Sequence, residues 1–108
     1  MNIEQLEKLI LEALDELKAK DVVVMDVSEL TDMTDKLIIA TGTSSRQVSA
    51  LAQHVSASCK KVDVMPIGSE GEDTGEWALV DLGDIVVHVL LPEKRDFYSL
   101  EELWSTKR

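Results

Sequence analysis

The side chains with chemical potential cluster in one segment, Glu76-Trp77-Ala78-Leu79-Val80-Asp81-Leu82-Gly83-Asp84-Ile85-Val86-Val87-His88-Val89-Leu90. Asp81 and Asp84 flank Leu82-Gly83, where two carboxylates can hold a cation or act as an acid–base pair. Aspartate beside glycine also has a structural reason, because its carboxylate bonds nearby backbone N–H groups in tight turns. Only His88 stands near enough in the chain to join them, and no ligand spacing supports a metal. With Leu82-Gly83 as a two-residue turn, Asp81 faces Asp84, Leu79 faces Val86 and Trp77 faces His88. Side chains alternate along a strand, so these six share one face of the hairpin. The other face, Ala78, Val80, Leu82, Ile85, Val87 and Val89, is wholly apolar and belongs to a core. The first face then presents an indole, an imidazole and two carboxylates, with Glu76 at its margin, as a docking surface for something basic. Trp77 has a core reading as well, with Tyr98 and Trp104 available to cover it.

Two further features invite a chemical reading. Thr41-Gly42-Thr43-Ser44-Ser45-Arg46 opens a helix after a strand, where backbone N–H groups can bind a phosphate. It lacks the Gly-Lys-Ser/Thr ending of a P-loop and the three-glycine dinucleotide fingerprint. Helix capping by Ser44 and close packing at Gly42 account for the same residues. Cys59, the single cysteine, falls on the apolar stripe of that helix with no histidine at nucleophile spacing, and reads as packing.

The elements that position these residues follow from periodicity. Asn2 and Gln5 have capping-box spacing, and Ile3, Leu6, Ile10, Ala13, Leu14 and Leu17 recur at helical intervals, so a first helix ends near Lys20. Val22 to Val27 is a β-branched strand, Ser28 to Asp35 a polar connection and Leu37 to Thr41 a second strand. Ser44 and Gln47 repeat the capping-box spacing before a second helix that ends at Lys60-Lys61. Val62 to Ile67 reads as a third strand, at an edge because of Pro66, and Gly68 to Gly75 as a mobile loop. The hairpin supplies strands four and five, and Phe97 to Trp104 a short terminal helix. The order α-β-β-α-β-β-β-α describes one α/β (α+β-like) domain over residues 1–108, a mixed five-stranded sheet with helices packed on its apolar face.

Charge narrows the partner. The net charge is −10 in 108 residues, and from Val62 to Glu93 there are eight acids and no lysine or arginine. Such a field repels nucleic acid and anionic membrane and attracts basic proteins. Only Leu37 to Lys61, with Arg46, Lys60, Lys61 and no acid, runs the other way, too sparsely to claim RNA. One cysteine, no signal-peptide pattern and no apolar run of spanning length place the chain in a reducing, cytoplasmic compartment.

Ile39 to Val48, then Trp77, Asp81-Leu82-Gly83-Asp84 and Val87-His88-Val89, then Arg95, Tyr98, Leu100-Glu101 and Leu103-Trp104 together resemble the Iojap family, the ribosomal silencing factors, in its bacterial form. The resemblance spans nearly the whole chain. It implies a fold related to nucleotidyltransferases, a homodimer, and no catalytic activity, cofactor or metal. It further implies binding to large-subunit ribosomal protein fourteen on the free large subunit, which blocks joining of the small subunit and lowers translation when nutrients run short. Trp77, Asp81, Asp84 and His88 match the family's motif, and their role as contacts, with Glu76 at the rim, is inferred from face and charge. A nucleotidyltransferase needs carboxylates one residue apart on a strand to share a metal. Asp81 and Asp84 are three apart across a bend, which leaves that chemistry unsupported. The competing classes are a divergent enzyme of that kind, using Asp81, Asp84 and the Gly42 turn, and an acidic dimeric scaffold for another basic client.

Overall fold

The computed structural model of the chain describes residues 2–32, 34–71 and 74–94. Helix α1 (Ile3–Glu16) leads to β1 (Lys20–Asp26) and β2 (Lys36–Thr41). Helix α2 (Ser45–Lys60) follows, then β3 (Gly68–Glu70), β4 (Trp77–Asp81) and β5 (Ile85–Leu90). The five strands form one sheet in the order β1-β2-β5-β4-β3. β2 and β5 run parallel and the other pairs antiparallel, so the expected mixed sheet is present. The expected terminal helix at Phe97 to Trp104 lies outside the described residues, as do Arg95 and the cover that Tyr98 and Trp104 were expected to give Trp77.

Helix α1 begins on a complete capping box, with Asn2 and Gln5 exchanging side-chain and backbone bonds. It ends at Glu16, earlier than the apolar periodicity implied. Lys18 takes a left-handed φ of 61°, and the amides of Lys18 and Ala19 donate back to Asp15 and Leu14. That pair of bonds closes the last turn as a Schellman motif and turns the chain into β1. At the α2 start Ser44 Oγ accepts the Gln47 amide, while the Gln47 side chain reaches Thr43 rather than Ser44. Only half of the second expected capping box therefore forms.

Both helices lie on one face of the sheet. Ile10, Leu14, Ile38, Val48, Leu51 and Val87 are among the wholly buried residues of that core. A half-buried ion pair between Lys36 of β2 and Glu7 of α1, 2.5 Å, ties helix to sheet and raises the Lys36 pKa. The opposite face holds a second apolar cluster. Val27, Leu37, Ile39 and Leu90 are at most 2% exposed, with Met25, Leu30, Trp77 and Val86 packed against them. That face is thus a core over β2 and β5 and not an open surface throughout, as the alternation of the hairpin alone had implied.

The third strand is displaced from its expected position. Val62 to Val64 close the end of α2, because Asp63 adopts φ 63° and the amides of Asp63 and Val64 return to Lys60 and Cys59. Met65 and Ile67 are left 64% and 74% exposed. Ladder pairing starts only at Gly68, opposite Asp81, so the first part of the expected Gly68–Gly75 loop is strand β3. β3 is an edge strand, as Pro66 implied, and begins just after that proline. At the far end of the segment Gly75 has φ 70°, and a Cβ there would lie 2.4 Å from the Ser45 carbonyl oxygen. The chain crosses the start of α2 there with no room for a side chain.

Candidate docking face

The β4–β5 hairpin has a register different from the one expected. Trp77 faces Leu90, Leu79 faces His88 and Asp81 faces Val86, and the Leu82 amide donates to the Ile85 carbonyl. The two-residue turn is therefore Gly83-Asp84 and not Leu82-Gly83. Gly83, φ 87°, occupies the first central position, where a hairpin turn of the II′ kind requires a left-handed conformation. Moving the turn by one residue changes each partner by two, which preserves the parity of the alternation. Trp77, Leu79, Asp81, Val86 and His88 consequently stay on one face, but Asp84 leaves it for the turn and Leu90 takes its place.

The structure places each candidate residue accordingly. Trp77 starts β4 half-buried, and its Nε1 donates to His88 Nδ1 at 2.9 Å. The two rings are 5.8 Å apart at 44°. They are diagonal neighbours, a step off the direct opposition expected, within the reach of large side chains across an antiparallel pair. Burial pushes the His88 pKa down to about 4, so the ring is neutral at neutral pH and its Nδ1 is free to accept. Asp81 Oδ1 accepts the Gly83 amide at 2.9 Å, and its carboxylate serves the turn. Asp84 is exposed, and its backbone carbonyl accepts from the amides of Asp35 and Lys36 and from Thr34 Oγ1, which anchors the hairpin tip to the start of β2. Glu76 is exposed beside Trp77, and its carbonyl accepts from the Leu91 amide. Trp77 and His88 are brought together, whereas Asp81 and Asp84 serve different parts of the turn. Among the described residues no group of three or more His, Cys, Asp or Glu side chains is placed to hold a metal ion.

One line of paired residues crosses this face from edge to edge, Val23, Ile39, His88, Leu79 and Glu70. It passes from fully buried Ile39 through half-buried His88 and Leu79 to exposed Glu70. At the β3–β4 end a shallow groove of about 390 Å³ is lined by Glu70, Gly71, Trp77 and Leu79. Leu79 and Glu70 were not among the expected contact residues. Leu79 was legible from its alternation with Trp77 and Asp81. Glu70 was not, because its position depends on the β3–β4 pairing.

The Thr41–Arg46 segment is occupied by structural bonds. Gln47 Oε1 accepts from the amide and hydroxyl of Thr43, and Gln47 Nε2 donates to the Leu17 carbonyl at the end of α1. A Cβ on Gly42 would sit 2.7 Å from Val48 Cγ2. The loop thus caps α2 and fastens it to α1 and the sheet. Cys59 is buried on α2, and burial raises its thiol pKa, as a packing residue requires.

A family model described as "Ribosomal silencing factor during starvation" matches residues 1–108. The chain belongs to the ribosomal silencing factor family. It is 48% identical over 108 residues to ribosomal silencing factor RsfS of Chromobacterium violaceum, spanning all of this chain and 88% of that protein. A crystal structure of a Chromobacterium violaceum protein superimposes with a TM-score of 0.95 at 50% identity, covering 97% of this chain and 88% of the other. A mouse relative named "Mitochondrial assembly of ribosomal large subunit protein 1" is 34% identical over 92 residues, 82% of this chain and 40% of that protein. The family expected from the Thr-Gly-Thr-Ser-Ser-Arg run and the Trp/Asp/His hairpin is the family found. Silencing factors are ribosome-linked regulators of translation, and this chain is a regulator rather than an enzyme. Asp81 and Asp84 accordingly need no catalytic role, in keeping with the turn bond that Asp81 makes. No helix among the described residues is long and apolar enough to cross a membrane.

Proposed function

We propose that this chain binds the free large ribosomal subunit through ribosomal protein fourteen and occupies space that the small subunit needs, so that the subunits do not join and translation falls when nutrients are short. It acts in the cytoplasm as a homodimer. The observation that carries this reading is the silencing-factor match over residues 1–108. A mouse relative named for large-subunit assembly favours that subunit over the small one. Physical support comes from the charge of −10, since ribosomal proteins are typically basic and complementary charge speeds encounter. The docking face is the β3–β4 end of the sheet. Trp77, with His88 beside it, is the apolar anchor, Leu79 and the groove continue it, and Glu76 and Asp84, with Asp81 at the turn, form the acidic margin. Truncating an aromatic anchor commonly costs about 2 kcal/mol or more of binding, whereas a rim charge acts mainly on the association rate.

Co-sedimentation through sucrose with purified large subunits, small subunits and joined ribosomes tests the reading. Migration with the large subunit alone, and inhibition of subunit joining in a light-scattering assay, are expected. Trp77→Ala should weaken large-subunit binding by roughly thirtyfold or more, and Glu12→Ala, on the exposed side of α1, should leave it unchanged. Equal losses from both variants would remove the proposed face, and absence from every fraction would remove the mechanism.

A further inference from the structure

We propose that His88 is a positioning residue for the docking face: by accepting the Trp77 Nε1–H on Nδ1 it holds the indole in the orientation that meets the ribosomal partner. This role rests on the docking reading above. An indole N–H can only donate, so the 2.9 Å contact requires Nδ1 to be the unprotonated nitrogen and puts the ring proton on Nε2. Burial keeps the ring neutral and therefore able to accept. The strand register sets the geometry. Trp77 lies opposite Leu90 and His88 opposite Leu79, so the indole leans diagonally along the face toward the imidazole, beside the groove of Glu70, Gly71 and Leu79. Across the sheet His88 pairs with fully buried Ile39 of β2, on the same face. Loss of this acceptor removes the bond that aligns the indole with the imidazole, and the ring can then turn beside Leu79. No described side-chain nitrogen or oxygen is buried without a partner. Among the described residues the bond the imidazole makes is the one to Trp77, which gives the ring a role on this face beyond filling volume.

A double-mutant cycle read by large-subunit co-sedimentation tests the proposal. His88→Phe keeps ring volume without an acceptor, and should weaken binding by about tenfold, the scale of one lost hydrogen bond. His88→Asn places an amide oxygen near the Nδ1 position and should stay within about threefold of wild type by the same measure. In a Trp77→Phe background, which has no indole N–H to orient, His88→Phe should cost less than about threefold. An equal cost of His88→Phe in both backgrounds, or a loss from His88→Asn matching that from His88→Phe, overturns the proposal. Two readouts need no ribosome. Imidazole ¹⁵N shifts of the wild type should report Nε2 protonated and Nδ1 bare, and the Trp77 indole proton should exchange slowly in wild type and His88→Asn and rapidly in His88→Phe. A protonated Nδ1, or fast indole exchange in wild type, overturns the proposal even where His88→Phe does not fold. A wild type that sediments with no subunit refutes the ribosome reading and the docking role with it, whereas a binding wild type with an additive cycle removes the His88 role alone.

Discussion

Replacing His88 by asparagine should make the protein less sensitive to acid. The imidazole has an ordinary pKa of 6.5 and is pushed down to about 4 in the folded protein by burial. Below pH 6.5 the unfolded chain takes up a proton that the folded chain refuses until about pH 4, so the unfolded state binds more protons across that window. Stability therefore rises with pH there, and the contribution of the neutral His88 is whole above 6.5 and is lost as pH falls toward 4. The full separation corresponds to about 3 kcal/mol. Stopping at about pH 5.5, before so acidic a chain approaches its isoelectric point, the linkage predicts a loss of about 1.4 kcal/mol relative to about pH 7.5, or about tenfold in the folding constant. Urea unfolding at several pH values and one fixed protein concentration measures this directly. His54 and the carboxylates are common to wild type and His88→Asn, so the difference between the two pH profiles isolates His88. Wild type should lose about 1.4 kcal/mol more than the variant over that range. Superimposable profiles would refute the reasoning, because His88 would then be as protonated folded as unfolded.

Other perturbations test the scaffold. Gly75→Ala forces a side chain onto a φ of 70° and to within 2.4 Å of the Ser45 carbonyl; it should cost about 2 kcal/mol or more, read as a lowered urea midpoint. Gln47→Ala removes the acceptor for Thr43 and the donor to Leu17; it should cost about 1–2 kcal/mol and speed amide exchange at the α1–β1 junction first. Lys18→Gly relieves the left-handed φ of 61° and should stabilise by about 0.5–1 kcal/mol after the greater freedom of glycine in the unfolded chain is counted, visible as a raised melting temperature.

What the sequence by itself determined are features with a short period or a short reach. Helices α1 and α2, the Asn2–Gln5 cap, the Ser44 cap and the two faces of the β4–β5 hairpin follow from spacings of two to four residues, where backbone geometry leaves little choice. The division of that hairpin survived a wrong turn because any shift that keeps the alternation keeps the faces. Family membership was legible for the same reason, being carried by local runs of residues. Only the tertiary structure decided matters between segments distant in the chain. Leu82-Gly83 and Gly83-Asp84 are nearly equivalent as local turns; the second is selected where the Asp84 carbonyl meets Thr34, Asp35 and Lys36. Val62 to Val64 has strand composition, yet Schellman bonds at the end of α2 claim its backbone and pairing with β4 begins at Gly68. The opposite sheet face looked open from the hairpin, and becomes a core once Val27 arrives from the end of β1 and Leu37 and Ile39 from β2. Trp77 meets His88 diagonally because register is a sum of many contacts across strands, and no single residue encodes that sum.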